Sequence, residues 1–249
     1  MSSPQEERAP ISVRLRRGIA RGFRDRGPIV AQEVWGRAAL SRIARALPPL
    51  ERAYATVRFS IMRPKLLSVL DLLLPEEGRI LDIGCGFGLF AAYFAQTQRA
   101  RRIVGVDPDA RRTELATRTF AKLGLEGHEF MAVDARDAEV EGPFDAVYIL
   151  DVMHHIPRED QHALLRRLHG LLAPHGVLVM KDITTEPWFG LKFTELLDRA
   201  MVGWNEPLCY RHHREWGEML RELGFKVRVV RVPDVLPYPH VVIAATKAA

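Results

Sequence analysis

One stretch constrains the fold more than any other: Arg79-Ile80-Leu81-Asp82-Ile83-Gly84-Cys85-Gly86-Phe87-Gly88-Leu89-Phe90. A short apolar strand pattern runs into three glycines on alternate positions. A helical pattern follows at once, from Leu89 to about Gln98. Glycines at such a junction let the backbone turn tightly and let a ligand lie against the main chain. The amides opening the new helix favour a negative group there. The stretch therefore reads as a cradle for a small ligand.

From Arg79 onward, strand and helix patterns alternate. Strands are predicted at about 79–83, 102–107, 127–132, 144–150, 175–182, 225–231 and 240–246. Helices are predicted at about 88–98, 109–123, 159–172, 188–202 and 212–223. This alternation predicts an α/β fold, doubly wound, with a mostly parallel seven-stranded sheet and helices on both faces. Gly224 is placed to end the last helix.

The segment before this pattern is different in character. Residues 1–65 hold 14 Arg and Lys against 5 Asp and Glu, whereas the remainder is slightly acidic. Residues 1–10 read as disordered. Ile11 to Arg26 has a helical stripe of Ile11, Leu15, Ile19 and Phe23, opposed by Arg14, Arg17, Arg21 and Arg24. Gly27-Pro28 reads as a break. A second helix is predicted from about Ile29 to Leu47, with Trp35, Ala39, Leu40, Ile43 and Leu47 on one side, and Pro48-Pro49 ends it. Two more follow, at about Glu51 to Met62 and Pro64 to Leu74. Residues 1–62 are thus read as a basic helical cap and 63–249 as the ligand-binding domain. The cap either packs on that domain, covers the site as a lid, or lets residues 11–47 touch an anionic membrane surface. Nucleic acid is not the expected partner, because no aromatic array interleaves the arginines.

Other exclusions follow from composition. The longest apolar run, Leu66 to Leu74, contains Asp71 and is too short to span a bilayer. The two cysteines are Cys85, inside the glycine loop, and Cys209, so a structural disulfide is not expected and a reducing, cytoplasmic setting fits. His162 and His169 lie two turns apart on one helix, about 10.5 Å, too far to share a metal. No metal is expected.

Spacing narrows the ligand. Asp107-Pro108 ends the second strand, where an acid commonly accepts from ribose hydroxyls. Asp134-Ala135 ends the third, where an acid can accept from an exocyclic amine; alternatively Asp134 caps a turn. A dinucleotide fingerprint needs G-x-G-x-x-G, whose third slot here is Leu89. The observed glycines are Gly84, Gly86 and Gly88, preceded by Asp82, which could face an ammonium.

Taken together, these segments resemble the class I S-adenosylmethionine-dependent methyltransferases over roughly residues 64–249. Leu81 to Gly88 looks like the family's first motif. Val106-Asp107-Pro108 resembles its ribose strand end and Val133-Asp134-Ala135 its adenine side. Phe144 to Ile156 is similar to its fourth-strand motif, and Leu172-Ala173-Pro174-His175-Gly176 to its turn before strand five, with His175 where a glycine is usual. The resemblance implies S-adenosylmethionine as cofactor, with Asp82, Gly84, Cys85, Gly86 and Gly88 around its methionine part. It places Asp107 and Pro108 at the ribose, and Asp134, Ala135 and Leu150 on the adenine side.

Candidate bases follow strand four: Asp151, His154 and His155. A neutral imidazole could help deprotonate a phenol. Asp182, Tyr210 and His240 are the expected acceptor contacts, the last within Tyr238-Pro239-His240. The insertion from Trp188 to Tyr210, with Phe189, Phe193, Met201 and Trp204, reads as a pocket wall or as core. The leading expectation is methyl transfer to a small-molecule or lipid-like acceptor at oxygen. The alternatives are a lipid methyltransferase anchored at a membrane surface by its Arg-rich helices, and a non-catalytic cofactor-binding scaffold. On this reading Asp107→Ala abolishes S-adenosylmethionine binding in isothermal titration, and unchanged affinity would show the ribose site to be misplaced.

Overall fold

The computed structural model describes residues 26–137, 139–202, 208–230 and 239–248; the side chains of 26–35, 198 and 200–202 lie outside the description. The helix expected over 11–25 and the residues Met201, Trp204 and Tyr238 also lie outside it. Three helices come first: α1 (Arg26–Ala46), α2 (Pro49–Ile61) and α3 (Pro64–Leu73). They are followed by β1 (Gly78–Ile83), α4 (Leu89–Thr97), β2 (Arg101–Asp107), α5 (Ala110–Lys122), β3 (Glu129–Ala132) and β4 (Phe144–Leu150). A 3₁₀ turn at Met153–His155 then leads to α6 (Arg158–Leu171), β5 (Leu172–Ile183), α7 (Trp188–Val202), α8 (His213–Glu222), β6 (Phe225–Val230) and β7 (His240–Lys247).

Prolines stand at the helix boundaries. As expected, α1 ends before Pro48-Pro49 and α3 opens at Pro64; Pro49 is also the first residue of α2, and Gly27 and Pro28, read as a break, lie within the opening of α1. A proline in the first helical turn gives up no intrahelical hydrogen bond, and its fixed φ suits the helix.

Among the described residues the sheet has seven strands in the order β3-β2-β1-β4-β5-β7-β6. β7 runs antiparallel to β5 and β6, and the other pairings are parallel. The order reverses between β1 and β4, and crevices for ligands open at that switch point beyond the strands' C-terminal ends. Alternation along each strand divides the core. Ile80, Ile103, Ala146, Tyr148 and Val179 face a cluster that includes Ala39, Ile43, Leu47, Ala55 and Phe59 of α1 and α2. Leu81, Ile83, Val104, Val147 and Leu178 face the other layer, with Leu164 and Leu168 of α6 and Trp216 of α8. The helices of the basic segment thus share the sheet's own core. No described helix is long and apolar enough to cross a membrane.

β5 begins three residues earlier than expected, and its pairing with β4 shifts register between Phe144 and Ala146. His175 lies in this offset at φ 64°, a left-handed conformation that glycine adopts at little cost, which accounts for the glycine usual there.

One buried cation fastens the helical layer to the sheet. The Arg101 guanidinium, at the start of β2, donates to Asp71 Oδ1 (2.5 Å), the Pro75 carbonyl (2.7 Å), Thr97 Oγ1 (3.0 Å) and the Phe94 carbonyl (3.1 Å). Removing one partner of a buried pair leaves the other uncompensated. Arg101→Met is expected to destabilise the protein by roughly 3–5 kcal/mol, read as a lowered urea midpoint with the m-value retained.

Candidate active site

The glycine loop is fastened to β2 by its own amides. Gly84 N and Cys85 N donate to the Val106 carbonyl at 2.8 and 3.0 Å, and Gly88 N donates to the Cys85 carbonyl at 2.9 Å. Gly86 N donates to Asp107 Oδ2 at 3.0 Å, while Asp107 Oδ1 accepts from Asp109 N at 3.0 Å. These loop amides are therefore engaged within the fold. No side chain caps α4, so the amides of its first turn remain for one.

Side chains at Gly84 and Gly88 are excluded for different reasons than at Gly86. A Cβ on Gly84 (φ 74°) would come within 2.4 Å of Val152 Cγ2, and one on Gly88 within 3.1 Å of Ala116 Cβ. A Cβ on Gly86 would meet nothing within 4 Å. The back of the loop is packed and the space over Gly86 is open, which is the shape of a cradle. Gly105 completes the support, since a Cβ there would lie 2.6 Å from the Phe130 ring and 2.8 Å from Cys85 Cβ. Burial pushes the Cys85 thiol far up, and Asp82 and Asp107 add to this, so the thiol stays protonated.

Two acids stand beside this space. Asp82 is buried opposite Tyr148 in the β1–β4 register. Burial raises its carboxyl to about 8; the Tyr148 hydroxyl opposes this and Asp107 adds to it. Two neighbouring carboxylates, one of them held protonated for want of a cation, fit a ligand bearing an ammonium and hydroxyls. The donor set thus suits the aminoacyl and ribose parts of S-adenosylmethionine. Pro108 is exposed beside Asp107, and Leu150 is buried at the end of β4. The oxygens of Asp134 accept from Arg136 N (2.8 Å), Nε (3.1 Å) and Nη2 (2.8 Å) across the turn after β3. Ala135 packs into the second core layer.

Beyond β4 the chain turns at Asp151, a non-glycine residue at φ 57°. Its carboxylate is clasped by the Lys181 ammonium on Oδ1 and by Arg58 Nη2 on Oδ2 at 2.9 Å. Burial would raise this carboxyl, but Lys181 and then Arg58 override it and hold the group well below the usual range. Burial in turn lowers the Lys181 ammonium, with Asp151 opposing. Arg58 reaches across from α2 and lies 5.6 Å from the Phe90 ring centroid, while Tyr54 packs edge-on against Phe87. So α2 rests on the glycine loop as well as on the turn after β4. Neither Arg58 nor Lys181 stood out in the sequence as a partner of Asp151; Arg58 is one of many arginines in a basic segment.

The three histidines near this turn differ in surroundings. His154 Nδ1 lies 2.5 Å from Asp182 Oδ1, both groups being buried. Asp182 Oδ1 also accepts from Ile183 N at 2.7 Å. Asp182, expected at the acceptor, is thus engaged with His154. Tyr210, also expected there, stacks on the His154 ring at 5.1 Å and 23°. Burial, and then His154, lower His155 to about 4. Burial, and then Lys181, lower His240 to about 3. His240 lines a cavity of about 820 Å³ together with Thr184, Pro187, Trp188, His213 and Pro239.

The chain is similar to several known proteins. A ubiquinone biosynthesis O-methyltransferase of Caulobacter sp. (strain K31) is 35% identical over 111 residues, 44% of this chain and 42% of its own length. The chain spans about half the length of the curated relatives it matches. The S-adenosylmethionine-dependent methyltransferase SibL, in its apo form, has TM-score 0.65 at 21% identity, covering 96% of this chain and 75% of its own. An O-methyltransferase family 2 protein of Planctomyces limnophilus DSM 3776, solved with apigenin, has TM-score 0.62 at 16% identity, covering 81% and 62%. These structural likenesses speak for the fold. Residues 54–230 match the profile of a methyltransferase domain, and with that match over most of its length the chain belongs to the class I S-adenosylmethionine-dependent methyltransferases, an enzyme family whose cofactor is S-adenosylmethionine.

Proposed function

We propose that this methyltransferase acts on a hydroxyl of a small or lipid-like acceptor, with His154 as general base. The contact between His154 Nδ1 and Asp182 Oδ1 carries the reading. An ionised carboxylate at Nδ1 selects the tautomer that keeps the proton there and makes Nε2 the accepting nitrogen. It also stabilises the imidazolium formed when that nitrogen takes a proton. A phenol, with pKa about 10, needs such help near neutral pH. An amine acceptor that arrives unprotonated does not. Asp151, with both oxygens on cations, and His155 and His240, made weakly basic by burial, suit the task less well.

When bound, the cofactor supplies a methyl on a sulfonium. In this reading Asp82 takes its ammonium, Asp107 its ribose, and the open face over Gly86 its methionine part. Asp151, Lys181 and Arg58 hold the turn that brings His154 beside the loop, for Val152, two residues earlier, stands against Gly84. Holding the reacting groups in line accounts for much of the acceleration. The 820 Å³ cavity is the acceptor pocket. Trp188 at its rim is 73% exposed, and Phe189 and Leu196 of the same helix are more than half exposed. That apolar face favours an acceptor with an alkyl chain. Residues 1–62 serve as a cap over a domain of 63–249, with α2 as the part that covers the loop.

Two outcomes test this. With catechol or an alkyl catechol as acceptor, S-adenosylhomocysteine should be released with a methyl on oxygen. His154→Gln should lower kcat by about 10²–10⁴-fold with cofactor affinity retained, and a wild-type rate in that variant would remove His154 from the chemistry.

The second concerns Asp82. Its carboxyl is raised from 3.8 to about 8 in the folded protein, so the stability it contributes is present at low pH and is lost as pH rises toward 8. An ammonium reverses this by favouring the carboxylate, and binding then releases a proton. Between about pH 5 and pH 7 the affinity for S-adenosylmethionine should rise by up to roughly tenfold per unit. Above about pH 8 loss of the ligand's own ammonium proton turns it down. Titration of Asp82→Asn over the lower window should be weaker and flat; a slope equal to wild type would show that the ammonium sits elsewhere.

A further inference from the structure

We propose that Gln161 is a positioning residue for His154, fastening the backbone on both sides of it; this rests on the reading of His154 as the base. Gln161 is fully buried on α6. Its Nε2 donates to the carbonyls of Met153 (3.0 Å) and Ile156 (2.9 Å), the first residue of the 3₁₀ turn carrying His154 and the residue just after that turn. It also donates to the carbonyl of Cys209 at 3.2 Å. Cys209 in turn donates its own N–H to the His154 carbonyl at 2.6 Å. The residue after Cys209 is Tyr210, whose ring stacks on the imidazole. One amide group therefore ties together the turn below His154 and the segment that covers its ring.

The direction of this amide is fixed by its other end. Gln161 Oε1 accepts from Arg211 Nε at 2.5 Å. Three carbonyls on one side and a guanidinium on the other admit one orientation, since carbonyls need a donor and a guanidinium an acceptor. Arg211 is held by Glu215 Oε2 (3.0 Å) and by the Arg158 carbonyl (3.1 Å). The chain Glu215–Arg211–Gln161 thus aims the amide at the turn.

A purely structural glutamine would satisfy buried carbonyls wherever they lie. Here the carbonyls belong to the residue before His154, to the residue two positions after it, and to Cys209, which bonds His154 itself. Removing the donors frees the imidazole to rotate away from Asp182 and to exchange tautomers. Among the described residues, no hydrogen bond joins Gln161 to the cofactor cradle built on β1, α4 and β2.

The test uses the full chain with ¹⁵N-labelled histidine, the His154 ring signals being assigned by their loss in His154→Gln. In the wild type the His154 ring should show one tautomer, protonated at Nδ1. In Gln161→Met those signals should move toward the average of two tautomers. With catechol as acceptor kcat should fall about 10²-fold, while KM and the affinity for S-adenosylmethionine stay near wild type. His154 signals that superimpose on the wild type, or a loss spread equally over kcat, KM and cofactor affinity, would overturn the proposal. If Gln161→Met does not fold, Arg211→Met, which keeps the amide but removes what aims it, is read by the same criteria. Full activity in His154→Gln would reject the base, yet the ring signals would still report whether Gln161 positions His154.

Discussion

A buried carboxylate between two cations holds this site together. Asp151 sits in a left-handed conformation that costs an ordinary residue about 1–2 kcal/mol. Lys181 from β5 and Arg58 from α2 occupy its two oxygens and make that turn worth its strain. Three distant parts of the chain meet there: the cap, the end of β4 and the end of β5. The turn releases the chain from the sheet so that Val152 backs the glycine loop and His154 reaches Asp182. Burying such charges is favourable only when every partner is present. The glycine loop and the His154–Asp182 pair are therefore linked through Asp151.

How much of this was legible in the sequence follows from the range of each interaction. The glycine loop, Asp107 and the strand–helix alternation are local, and their spacing survives in the sequence unaltered. The helix start at Pro64 is local too, and at Pro49 one residue both follows the end of α1 and opens α2, because proline ends and begins helices alike. Asp134 was undecided for a similar reason, since a strand-end acid can face a ligand or close a turn, and in the fold it accepts from Arg136 two residues on.

The bonds that arrange the acidic and imidazole groups are not local. His154 and Asp182 are separated by a whole crossover helix and meet only because β4 and β5 are parallel neighbours. Arg58 and Asp151 are 93 positions apart. Gln161 lies in a helix whose leucine stripe explains the pattern without it, so nothing in the periodicity marks its amide as the fastening of a turn.

Electrostatics gives the two ends of the crevice opposite characters. On the loop side, burial raises the Asp82 carboxyl and the neighbouring Asp107 adds to this. On the far side, Lys181 and Arg58 surround Asp151, and their field, after burial, keeps His240 neutral. A cationic ligand is drawn to the first region and repelled by the second. His154 lies where the positive side ends, because Asp182 faces it directly. The two histidines meet different side chains of β5: His154 meets Asp182, whereas His240, lowered first by burial, also feels Lys181. Adjacent residues of a strand point to opposite faces, and Lys181 and Asp182 are adjacent.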